Sequence, residues 1–155
     1  LIAYLKLSPL IVSAAFWVST AYNLWGKRVR FLSDALVLLW GPTFTLLLSV
    51  KIPLFLAINT GLMLLMGHTF QMARDKHVDA ENQIQTTWLS APQWAVAIFY
   101  ATGVAVQLCF VLAGFYTAAF TATLFYLVPL FGGYTPKSWL VLKFLQTVSW
   151  ILILL

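Results

Sequence analysis

From Asn82 to Pro136 the chain carries no Asp, Glu, Lys or Arg. A run of that length without charge belongs either inside a much larger protein or in the hydrocarbon of a bilayer. With 155 residues in all, this chain cannot bury such a stretch in protein of its own. Composition points the same way. The residues are 62% hydrophobic and 8% charged, against about 45–50% and about 25% in ordinary soluble domains. The sequence therefore predicts an all-α integral membrane protein, because a helix satisfies its own backbone hydrogen bonds where no water can do so.

A span of about 30 Å takes about 20 helical residues. Cutting the apolar stretches at charges, prolines and glycines predicts six transmembrane segments: Leu7–Trp25, Phe31–Val50, Ile52–Gln71, Ala91–Val111, Gly114–Phe131 and Ser138–Leu155. The chain reads as one polytopic helical domain with a polar cytoplasmic linker over residues 72–87. Ala91 to Phe131 is too long for one span and short for two, so a tight hairpin is expected at Ala113-Gly114, where glycine supplies the turn. Pro53, Pro92 and Pro136 suit the first turn of new helices, where a missing N–H costs nothing. A shift of 83 positions superposes Pro9 on Pro92, Phe16 on Phe99 and Pro53 on Pro136, so a 3+3 arrangement of inverted repeats is open. The chain begins with Leu and ends inside an apolar run, so it reads as processed, truncated or incompletely represented.

The net charge of +5 does not point to nucleic acid. The basic residues sit at the ends of apolar runs, with no basic stripe interleaved with aromatics. They follow the positive-inside pattern instead: Lys27, Arg28 and Arg30, then Arg74 and Lys76, then Lys137 all fall on one side of a six-span topology. Trp25, Trp88 and Trp139 lie close to the expected membrane surfaces. Cys109 is the only cysteine, which excludes an intramolecular disulfide and a cysteine-based metal cluster. No metal and no cofactor is expected.

Helices in lipid associate through small residues and polar contacts. Ala97, Ala101 and Ala105 recur every four residues and are expected to face Thr117, Thr121, Ala118 and Ala122. Gly41-Pro42, in the middle of the second segment, predicts a kink. Asp34, one turn after Arg30, is placed for an ion pair with it. Lys143 lies about 8–9 Å into the last segment, at about 1.5 Å per residue, and is expected to snorkel to the surface. His68 is read as an interfacial hydrogen-bonding residue.

Two groups of residues are candidates for chemistry. His77, Asp79 and Glu81 concentrate charge in the 72–87 linker, where a histidine beside carboxylates suits acid–base work on a lipid at the cytoplasmic surface. Asn59, Thr60, Gln107 and Gln146 are uncharged polar groups at depth, able to bind a ligand but poor at relaying protons. Three functions follow as expectations. The first is a non-catalytic transmembrane subunit of a larger assembly, with lipids and other membrane proteins as partners. The second is a carrier or binding bundle for a lipid-like or uncharged small molecule. The third is a lipid-modifying enzyme using the linker.

Overall fold

The computed structural model describes residues 9–26, 29, 31–48 and 53–154. Every regular element among them is helical. In chain order these are α1 (Pro9–Ala21), which continues as a π-helical turn over Tyr22–Gly26, then α2 (Leu32–Leu48), α3 (Leu54–Glu81), α4 (Thr87–Ser90), α5 (Pro92–Leu112), α6 (Tyr116–Gly132) and α7 (Pro136–Leu154). The turns expected at Lys27-Arg28-Val29-Arg30 and Lys51-Ile52 fall largely outside the described residues.

Proline and glycine punctuate these helices for local reasons. Pro53 stands immediately before α3, Pro92 begins α5 and Pro136 begins α7, positions where proline's fixed φ is already helical. Gly114, at φ +81°, turns the chain between α5 and α6. Two helices, Leu54–Glu81 and Pro92–Leu112, are long and apolar enough to cross a membrane; α2 and α6 are apolar but shorter.

The stretch expected to be a polar linker is helical in its first part. α3 runs straight through Met72–Glu81 and ends where Gln83 takes a left-handed φ of 56°. Met, Ala, Arg, Lys and Glu all favour helix, so the helix outlasts the apolar pattern that marked the segment. Asn82 then closes the end by donating its side-chain amide to the Val78 carbonyl at 2.7 Å.

α3 is the central helix, packed against α2, α5 and α7. The core lies between α3, α5, α6 and α7, where Met66, Phe70, Phe99, Phe110, Phe125 and Leu142 are fully buried. The small-residue face expected on α5 is the wrong face. Ala97 and Ala101 are exposed, while Ala95, Phe99, Thr102, Gly103, Val106 and Phe110 turn inward. A four-residue repeat of alanine shows that one face is smooth but not which face is covered. In this bundle the phenylalanines bury the larger area and take the interior. On α6, Ala118, Thr121 and Ala122 are buried as expected and Thr117 is exposed.

Beside this apolar core some polar side chains are fully buried, and several large apolar ones are exposed. Asn59, Thr69, Thr87 and Ser149 are fully buried, while Leu112 and Phe131 are each 86% exposed, with Phe120, Phe144 and Leu130 close behind. Threonines inside helices return their hydroxyls to the preceding turn, as Thr45 does to the Gly41 carbonyl at 2.8 Å and Thr69 to that of Leu65 at 2.9 Å. That back-bonding satisfies the hydroxyl without water.

Candidate functional site

α1 widens at its end into the π turn Tyr22–Gly26, a feature that occurs in helices mostly as a single turn and often beside functional sites. Between this turn, α2 and α3 lies a cavity of about 370 Å³. α2 supplies an apolar wall of Leu36, Val37 and Trp40, and α3 supplies Leu64, Gly67, His68 and Gln71. Ser19, Tyr22 and Asn23 close it from α1 and the π turn, and Lys143 reaches in from α7. The Trp40 indole N–H donates to the Ser19 hydroxyl at 2.9 Å and ties α1 to α2 across the cavity wall. Tyr22 and His68 meet edge to face, with ring centres 6.0 Å apart.

A smaller chamber of about 160 Å³ shares Tyr22, His68 and Gln71 with the first and continues along α3 toward its charged end. Its other walls include Ser33, Asp75, Asp79 and Thr86. Asp75 and Asp79, one helical turn apart, therefore share a face of α3. Asp75 is also held by Arg74, whose Nε and Nη2 donate to its two oxygens at 2.6 and 2.7 Å. These hydrogen bonds keep the Asp75 carboxyl below the usual carboxylate range.

Lys143 does not reach outward as expected. Its ammonium lies beside Gly67, donates to Gln146 Oε1 at 3.2 Å and sits 5.7 Å from the centre of the Trp139 ring. The Arg74 guanidinium also lies over Trp139, at 5.1 Å. A β carbon on residue 67 would overlap the ammonium and come within 3.2 Å of Lys143 Cε, so glycine at this position makes the space the ammonium occupies. Gln146 is itself pinned, its amide donating to the Met63 carbonyl at 2.9 Å. Among the described residues the ion pair is Arg74 with Asp75, and Lys143 has no carboxylate against it.

Other expected site residues lie apart. Gln107 joins α5 to α6, donating to the Thr123 hydroxyl at 2.9 Å and accepting from Tyr126 at 3.1 Å. Thr60 returns its hydroxyl to the Leu56 carbonyl at 3.0 Å. Asn59 is fully buried on α3, and neither its amide nitrogen nor its oxygen has a hydrogen-bond partner among the described residues. Gln146 alone of this group approaches the cavity, through Lys143. His77, Asp79 and Glu81 sit on a helix rather than on an extended strand of linker. Positions two apart on a helix point to opposite sides, so exposed His77 and Glu81 share one face while Asp79 turns toward the smaller chamber. Among the described residues no three His, Cys, Asp or Glu side chains gather to hold a metal.

Asp34 is buried at the start of α2 and accepts a hydrogen bond from the hydroxyl of Thr87, the first residue of α4. The expected partner Arg30 lies outside the described residues. No sequence signal marks Thr87, because its partner lies 53 residues away. Tyr22, Gln71 and Gly67 were equally silent: each matters through what three helices place opposite it. No protein-family model matches the chain, and searches of curated proteins and of solved structures likewise yield no significant match.

Proposed function

We propose that the chain is a multi-pass membrane helix bundle that binds a lipid-like small molecule in the cavity between α1, α2 and α3. The cavity carries this reading. It combines an apolar wall of Leu36, Val37, Trp40 and Leu64 with polar groups converging from Ser19, Asn23, His68 and Gln71, the combination expected of a small-molecule site. Its volume of about 370 Å³ lies within the ordinary range of about 300–1,000 Å³ for ligand pockets.

A membrane location is supported by the large apolar side chains exposed on the exterior, such as Leu112, Phe120 and Phe131, and by the two helices long and apolar enough to span. α2 and α6, of 17 residues each, are at the lower end of the range of about 17–25 residues that crosses a bilayer. The residues of α3 beyond Gln71 extend that helix by about 15 Å at about 1.5 Å per residue. They carry its charged end clear of the hydrocarbon.

Mass spectrometry of the protein purified in mild detergent tests the binding role. The reading expects one retained amphiphile per chain. Stoichiometric protein partners with no retained small molecule would instead establish a subunit of a larger assembly. Thiol labelling tests the topology, using single cysteines at Gln83 and Tyr116 in a Cys109→Ala background; the two positions should label from opposite sides of a sealed vesicle. Labelling of both from one side would overturn the multi-pass reading.

A further inference from the structure

Building on the cavity proposed above as a binding site for a lipid-like molecule, we infer that Lys143 reads an oxyanion head group, so that the ligand is an acidic amphiphile rather than a neutral one. The placement of the ammonium carries the argument. A lysine ammonium has three N–H donors, and the hydrogen bond described for Lys143 goes to Gln146 Oε1. No carboxylate neutralises it among the described residues. A cation in such surroundings is stabilised by an anion that arrives with the ligand, and hydrogen bonds to charged groups are the strong ones.

The ammonium is also held in place. Trp139 lies against it, Gln146 is fixed by the Met63 carbonyl, and Gly67 leaves the space it fills. These contacts orient it toward a cavity whose α2 wall is apolar and whose other walls carry Ser19 and Asn23. The head group would sit at the Lys143 end and the tail along Val37 and Trp40. The shared chemistry is an oxyanion on an apolar chain, which a fatty-acid carboxylate and a phospholipid phosphate both supply.

The test measures binding of three probes to the protein in phosphatidylcholine nanodiscs: a fluorescent long-chain fatty acid, the corresponding long-chain alcohol, and lysophosphatidic acid as competitor. Wild type should bind the acid about tenfold or more tightly than the alcohol, the preference a charge-assisted hydrogen bond supplies. Lys143→Met should erase that preference by weakening acid binding, and an unfolding midpoint in detergent close to that of wild type reports that the variant is folded. Gly67→Ala, which keeps the charge but displaces the ammonium, should weaken acid binding more than alcohol binding. Displacement of the fatty acid by less lysophosphatidic acid than free fatty acid would identify phosphate as the preferred head group, and the reverse order would identify carboxylate. Equal binding of acid and alcohol by wild type, or a preference that survives Lys143→Met, would overturn the head-group assignment while the cavity reading stands. Failure of wild type to bind any of the three would overturn both.

Discussion

Gly41 of α2 and Gly61 of α3 meet backbone to backbone: a β carbon on Gly41 would overlap the Gly61 backbone and lie 2.9 Å from the Thr60 carbonyl carbon, and one on Gly61 would lie 2.8 Å from Pro42 Cδ. The contact falls where Pro42, having no N–H, leaves the Leu38 carbonyl without its helical donor. Gly61 packs onto that same carbonyl. The break that proline introduces in α2 is thus covered by the backbone of α3, with small residues allowing the approach. α2 stays helical through Pro42.

Gly41→Ala should therefore lower stability by about 1–3 kcal/mol, the usual cost of overpacking, because the atoms in its way are backbone and cannot swing aside. Thermal unfolding of the detergent-solubilised variant measures this. The same variant should bind the cavity ligand more weakly, since α2 and α3 form two of its walls. An unchanged unfolding midpoint would mean that the two helices lie further apart than described.

Thr87→Val removes the hydroxyl that Asp34 accepts from and leaves a buried carboxyl without its described donor. The expected loss is about 1–3 kcal/mol. Thr87→Ser keeps the hydroxyl and should retain most of the stability. If the serine and valine variants unfold together, the Asp34 contact contributes nothing.

Tyr134, in the connection between α6 and α7, packs against Phe70 and Trp88 with ring centres 5.0 and 4.8 Å away. Burial first, and then the charge of Tyr100, push its phenol up to about 12 from 10.0. A group whose proton is held more tightly in the folded state stabilises the fold below its unfolded pKa. That contribution is complete below pH 10.0 and is lost as pH rises toward about 12. Tyr134→Phe should flatten the fall in unfolding midpoint over this window. An identical pH profile for the two proteins would show that Tyr134 is not held in its neutral form by the fold.

The helical character of the chain was legible in its composition, and the separate helices α5 and α6 were legible in Gly114, because a charge-free stretch too long for one span has to turn somewhere. Local residues also explained where helices begin: Pro92 and Pro136 act within their own turn. The end of α3 was misjudged because hydropathy marks where an apolar run stops, not where a helix does. Met72 to Glu81 is polar and still helical.

An all-helical chain could be read from the residues alone, since backbone satisfaction and side-chain hydropathy are local properties; against the six segments expected, two of the described helices are long and apolar enough to cross a membrane. Which polar residues meet follows from how the helices pack. Lys143 and Gly67 come from α7 and α3, Asp34 and Thr87 from α2 and α4, Tyr22 and His68 from the π turn and α3. Those pairings depend on how each helix is rotated about its axis. In a chain rich in apolar residues on every side, rotation is set by interhelical packing such as the Gly41–Gly61 contact and the phenylalanine core, which no periodicity in the sequence encodes.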